Sequence, residues 1–248
     1  MAEQVVIYEV ENGIATIKIN RPRVKNAINE DVHVALYDFF EKAKLDDTVK
    51  VIVFTGVEDS FSSGADLKSF PTDKAEQINL GEHLDRSYNR LLRLMETIDK
   101  PTVAYINGTA VGAGLSLALA CDFRVAKSGA KLAVSFLHIG LVPDAGATYF
   151  LPRLVGLGKA LEISLGESFT SDEGAKIGLI HRIGEPGPFA QALKRVPQPA
   201  YALMKKNMKA SFHSTFEESL QLEIDGQREA GYSDIHQYLV AQFFEKRK

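Results

Sequence analysis

Cysteine occurs once in the 248 residues, at Cys121, and tryptophan is absent. A single cysteine excludes an internal disulfide and any cysteine-based metal cluster. Set in an apolar helical stretch, it reads as a small core residue. Neither sign of charge dominates: 29 basic against 32 acidic residues give a net charge of -3, with no basic cluster along the chain. A nucleic-acid partner is therefore not expected. No apolar run is long enough to span a bilayer and no basic-plus-apolar leader opens the chain, so the expected location is the cytoplasm, with no membrane partner. The six histidines (His33, His83, His138, His181, His213, His236) lack close ligand spacing, so no metal is expected. Gly112-x-Gly114 lacks the further glycine and downstream acid of a dinucleotide fingerprint, and no Walker sequence occurs, so no cofactor is expected either. Around Ser116 the second glycine of a nucleophile elbow is missing. Internal repeats and low-complexity segments are also absent.

What remains is an alternation of strands and helices, with 45% hydrophobic and 25% charged residues, as in an ordinary globular chain. Val5 to Glu9 and Ala15 to Ile19 alternate and flank Glu11-Asn12-Gly13, a hairpin signal. Asn29 suits the N-cap of a helix carrying Val32, Leu36, Phe39 and Phe40 on one face. Val51 to Phe54 is wholly apolar, hence a buried strand. SFSSGADLKSF reads as a small-residue turn that starts a short helix, and a long helix should run from about Glu76 to Ile98, with Leu80, Leu84, Leu91, Leu94 and Met95 inward. Phe123–Val125, Lys131–Val134 and Leu179–Ile183 read as strands, Leu157–Leu165 and Ser171–Ile177 as helices. The pattern predicts an α/β fold with a largely parallel sheet. One main domain over 1–198 is followed by a helical region over 199–248.

The centre of the chain runs from Lys100 to Gly156. Pro101 and Thr102 start a β-branched run (Val103, Ile106) that reads as a buried strand ended by Asn107-Gly108, and Gly112-Ala113-Gly114 lets the backbone approach whatever lies beside it. A helix starting near Gly114 aims unpaired N–H groups and its positive end at that turn. Ser63-Gly64-Ala65 is a second small-residue turn after a strand. Two amides aimed at one point would hold a developing negative charge. Such turns are also ordinary connections, and Asp144, in Pro143-Asp144-Ala145-Gly146, suits a β-turn or an N-cap as well as a catalytic acid.

Six pieces, in this order and spacing, decide between those readings: NRPRVKNAIN (20–29), FSSGADLKSF (61–70), KPTVAYINGTAVGAGLSLALACDFRVA, IGLVPDAGATYFLPRLVG, GLI (178–180) and the ending FFEKRK. Over nearly its whole length the chain resembles the crotonase (enoyl-CoA hydratase/isomerase) superfamily. The resemblance implies a β-β-α superhelix of the ClpP/crotonase type with a C-terminal helical region. It also implies an acyl-CoA thioester substrate whose carbonyl oxygen is held by the amides of Ala65 and Ala113, coenzyme A entering only as part of the substrate. Ser63, Arg23, Val24, Asp66 and Leu67 are implied for substrate binding, and a homotrimer or pair of trimers with C-terminal helices at the contacts.

The two glutamates of the family's hydratases fall on Ser116 and Phe136, which places those residues at the substrate while removing both water-activating acids. Asp144 falls where the isomerase branches carry their acid, and PDAGATYFLPRLVG most resembles the branch containing ring-opening isomerases of phenylacetate degradation. The implied reaction is a double-bond shift with Asp144 as the one acid/base, its pKa raised by Phe136, Leu141 and Val142. The alternatives are a hydratase-type lyase, a hydrolase or dehalogenase with Asp144 as nucleophile, and a non-catalytic acyl-CoA binder. Four prolines crowd the segment from Ile183 to Pro199, so any helix there must be short.

Overall fold

Val51–Gly56 is buried at every position, as an apolar run covered on both faces requires, and it forms the middle of a sheet. In the computed structural model, which describes residues 4–69 and 79–246, this strand is β3. The hairpin β1 (Val6–Glu11) and β2 (Ile14–Ile19) turns at Asn12 and Gly13, both at positive φ, and β2 continues into a parallel ladder with β3. β5 (Thr102–Ile106), β7 (Phe123–Ala126) and β10 (Arg182–Ile183) complete a six-stranded sheet in the order β1-β2-β3-β5-β7-β10. A second sheet is built from short strands: β4 (Ser60–Ser62), β6 (Thr109–Val111), β8 (Lys131–Ala133) and β9 (Phe169–Thr170).

The chain therefore repeats one step. A strand of the large sheet is followed by a strand of the small sheet and then by a helix: β3, β4 and the helix ending at Glu96; β5, β6 and α4 (Ala113–Leu119); β7, β8 and α5 (Ala147–Val155). Helix α1 (Glu30–Leu45) starts where expected, its Val32 amide donating to the Asn29 side chain. Val32, Leu36 and Phe40 enter the same core as Ile17, Phe54, Leu115 and Leu117. A smaller cluster, Val51, Val53, Val103, Val125, Ala190 and Leu193, lies under the seven-residue helix α8 (Gly187–Leu193), the short helix expected of the proline-crowded segment.

Several expectations need correction. Residues 76–78 of the long helix, Phe70 of the second motif and the last two residues of the ending lie outside the described residues. Within them the helix opens at α2 (Leu80–Leu84), capped by Asn79, passes through a π-turn at Asp85–Asn89 and resumes as α3 (Arg90–Glu96). Leu80, expected inward, is 45% exposed. Of the strand expected over 179–183 only Arg182–Ile183 pairs with β7. The buried Arg124 guanidinium takes the Leu179 carbonyl at 2.8 Å, so that residue is held by a side chain rather than a ladder. Strands β4 and β6 were not foreseen, being too short to show a period. Helix α6 (Leu157–Ile163) and α7 (Ser171–Lys176) complete the first compact unit, Met1–Lys194. The second, Arg195–Lys248, consists of α9 (Gln198–Ala210), α10 (Phe216–Gly231) and α11 (Asp234–Glu245). Among the described residues no helix is long and apolar enough to cross a membrane.

Candidate active site

The loop 21–28 is knotted to the turn at Gly64 by Asn26. Asn26 is fully buried with its backbone left-handed at φ 56°, and its side chain donates to the carbonyls of Val57 (3.0 Å) and Ser60 (2.6 Å). The Asn26 carbonyl accepts the Ser62 hydroxyl, and that hydroxyl accepts the Gly64 amide at 3.1 Å. The Asp66 amide goes to Ile28 O. Every amide around Ala65 is thus used, while the Ala65 N–H has no partner among the described residues.

The second turn is built in the same way. Gly112, at φ 54° and ψ -129°, is a conformation that a side chain strongly disfavours, and its amide donates to Ala133 O at 2.9 Å. The next amide, Ala113, is the first of α4 and has no partner among the described residues. Gly114 lets that helix press onto β4: a Cβ there would stand 2.7 Å from Ser62 Cβ. Two neighbouring turns therefore each present one unpaired N–H, the arrangement that holds a developing oxyanion.

Both face a cavity of about 660 Å³, within the range of small-molecule sites. Its wall includes Ser63, Ala65, Leu67, Ala113, Phe136 and Asp144, six of the ten residues expected at the site. The other four are absent from the wall. Arg23 and Val24 sit on an exposed 3-10 turn, Pro22–Val24, and the Asp66 carboxylate is tied to Arg21 at 2.9 Å. Ser116 is buried, its hydroxyl donating back to Gly112 O at 3.2 Å, which braces the turn.

Asp144 is the one carboxylate among the described residues lining the cavity. It precedes Ala145 at φ 49° and Gly146 at φ 81°, two consecutive left-handed residues that swing the chain into α5. Left-handed geometry at alanine is costly, and such strain concentrates at functional positions. Burial pushes the Asp144 carboxyl up to about 6 from its ordinary 3.8. Phe136 and Leu141 line the cavity beside it as expected, but Val142 is 75% exposed and contributes nothing to that shift.

The sequence reading missed two polar residues of this wall, His83 and Tyr88. Leu84, Tyr88, Leu91 and Met95 recur at helical spacing, so Tyr88 was visible as an inward position, though not as a neighbour of Asp144. A separate cavity of about 590 Å³ borders Thr55, Tyr105 and Asn107, whose polar groups bond within the protein to Tyr105 O, Glu185 and Gly56 O. Among the described residues no group of three or more His, Cys, Asp or Glu is placed to hold a metal ion.

Comparison with known proteins identifies the family. The profile of the enoyl-CoA hydratase/isomerase family matches residues 9–248. The 1,2-epoxyphenylacetyl-CoA isomerase of Escherichia coli K12 is 31% identical over 251 residues, 98% of this chain and 96% of its own. The crotonyl-CoA hydratase of Syntrophomonas wolfei is 31% identical over 261 residues, covering 100% and 98%. The crystal structure of an enoyl-CoA hydratase/isomerase from Cupriavidus metallidurans CH34 superposes with a TM-score of 0.90 at 26% identity, over 99% of this chain and 95% of that one. The β-β-α succession, the paired glycine turns and the full-length likeness lead to one conclusion: this chain belongs to the enoyl-CoA hydratase/isomerase family, the crotonase superfamily.

Proposed function

We propose that the protein is an enoyl-CoA isomerase that moves a double bond within an acyl-CoA thioester. The observation that carries this reading is a cavity with two unpaired amides and one carboxylate, Asp144. A hydratase of this family needs two acids around a water, and the corresponding positions are Ser116, bonded to its own helix, and Phe136. One carboxylate suffices for isomerisation. Asp144 takes the proton from C2 of a 3-enoyl thioester, and the amides of Ala65 and Ala113 hold the oxygen of the resulting dienolate. The same carboxyl then returns the proton at C4, leaving the 2-enoyl product. A buried carboxyl with its pKa raised is a stronger base than an exposed one, yet still ionised near neutrality.

Coenzyme A enters as part of the substrate, and the chemistry calls for no metal or further cofactor. Met208, Phe216, Ile224 and Phe244 are exposed on the helices of the C-terminal unit, which supports assembly through these helices as trimers or paired trimers. The test is partition between two reactions. Supplied with 3-hexenoyl-CoA and, separately, crotonyl-CoA, the enzyme should convert the first to 2-hexenoyl-CoA and leave the second unhydrated. Rapid hydration of crotonyl-CoA without a double-bond shift would replace this reading with a hydratase.

A further inference from the structure

Tyr88 is 4% exposed, and its hydroxyl is buried without a hydrogen-bond partner among the described residues. Buried tyrosine hydroxyls are normally paired, so the exception calls for a reason. Asp144 shows the complementary exception: Oδ1 is buried and also lacks a partner. The second carboxyl oxygen is outside that buried set, on a residue that lines the cavity. Tyr88 lines the same cavity. A donor without an acceptor and an acceptor without a donor thus share one wall, both closed to solvent.

Tyr88 stands in the π-turn Asp85–Asn89 that interrupts α2 and α3. Such one-turn widenings of a helix recur at functional positions. The ring is fixed from behind by His33 of α1, packed edge-on at 4.1 Å between centroids. The titratable groups on the cavity wall are Asp144, Tyr88 and His83, with His33 behind. Burial and then His83 lower His33 to about 4, so it is neutral and adds no charge at pH 7. Burial first, and the charge of Asp144 second, push the Tyr88 phenol upward, so it keeps its proton and acts as a donor.

We infer that Tyr88 is a positioning residue for Asp144, its hydroxyl donating to Oδ1 of the ionised carboxylate and leaving the other oxygen to carry the substrate's proton. Ionisation of Asp144 drives the bond, because charge raises the cost of leaving Oδ1 unpaired. The bond favours the charged form, holding the Asp144 pKa below the value burial alone would set. It also fixes which oxygen faces C2 and C4. The inference rests on Asp144 being the base of the proposed isomerase, but its test needs no turnover.

The test is titration of Asp144 in protein labelled with carboxyl-¹³C aspartate, the resonance identified by its loss in Asp144→Asn. In Tyr88→Phe, which keeps the ring and its packing, the Asp144 pKa should rise by about one unit. The melting temperature should hold near pH 4, where the carboxyl is protonated and the hydroxyl has no bond to lose, and fall slightly at pH 8, where it has. With 3-hexenoyl-CoA at pH 8, kcat should fall about tenfold with KM unchanged, since the loss is one of orientation. An Asp144 pKa identical in wild type and Tyr88→Phe would overturn the inference, whatever the activity. So would a large fall in melting temperature with that pKa unmoved, which would make Tyr88 a packing residue. If the wild type fails to isomerise, the proposed reaction falls while the titration still decides the Tyr88–Asp144 pair.

Discussion

Gly64 stands so close to Ala113 that a methyl built on its α-carbon would lie 3.4 Å from the Ala113 nitrogen and 2.8 Å from the Val111 carbonyl oxygen. The two turns meet backbone to backbone, with no side chain between them. This contact sets the spacing of the two unpaired amides, Ala65 and Ala113.

Gly64→Ala is accordingly expected to be costly in two ways. Its φ of 91° disfavours any side chain, and the methyl would collide with backbone that cannot turn aside. A stability loss of about 1–3 kcal/mol is expected from thermal or urea unfolding. Activity should fall about 10²-fold even where the protein remains folded, since small displacements of positioned groups are amplified in the barrier. Wild-type kinetics in a folded Gly64→Ala enzyme would show that the Ala65 amide is not used.

Asp144 must be ionised to accept a proton, so kcat/KM should rise with pH and then level off. The midpoint should be raised from the ordinary 3.8 toward about 6. A pH–rate profile on 3-hexenoyl-CoA checks this, and a midpoint near 4 would remove the burial argument.

The same shift predicts a stability effect whose sign is fixed. The folded pKa lies above the unfolded one, so folding favours the protonated carboxyl. Below the ordinary 3.8 both states are protonated and nothing is lost. As pH rises through about 6 the folded protein must bear a buried charge, and stability declines. Asp144→Asn should therefore melt higher than wild type at pH 8, with the difference shrinking toward pH 4. Tm measured across this range would contradict the account if the variant were less stable at pH 8.

Arg124 is 1% exposed, and among the described residues none of its hydrogen bonds goes to a carboxylate. It donates to the carbonyls of Leu119 and Cys121 at the end of α4 and to Leu179. Burial lowers its pKa to about 10, which leaves it charged at neutral pH. Arg124→Met should cost about 2–4 kcal/mol, because three buried carbonyls lose their donor together. Its effect on kcat should be smaller than that of Gly64→Ala, since Arg124 holds the far end of α4. Urea unfolding beside initial rates separates the two effects.

Much of this arrangement was legible in the chain, for reasons that particular residues make plain. Asn29 as an N-cap, the apolar run at Val51 and the hairpin at Asn12-Gly13 are local signals, and the structure obeys them. The glycines at 64 and 112 announced turns, and resemblance to the family named the amides of Ala65 and Ala113 that follow them. Strands β4 and β6 were hidden because three residues carry no period. Ser116 and Asp66 look polar and available in sequence, yet each is consumed by a partner, Gly112 O and Arg21, that only the fold brings near. Tyr88 escaped because its importance lies in a π-turn and in an acid 56 positions later, a relationship no local pattern encodes.

The central claim is that Asp144 moves a proton at carbon, and solvent deuterium tests it directly. Wild type and Asp144→Asn would each be incubated with 3-hexenoyl-CoA in deuterated buffer and the thioesters analysed by mass spectrometry. The account predicts deuterium uptake and 2-hexenoyl-CoA in the wild type, with both slowed about 10²–10⁴-fold in the variant while acyl-CoA binding is kept. Exchange and product formed equally fast by Asp144→Asn would contradict it.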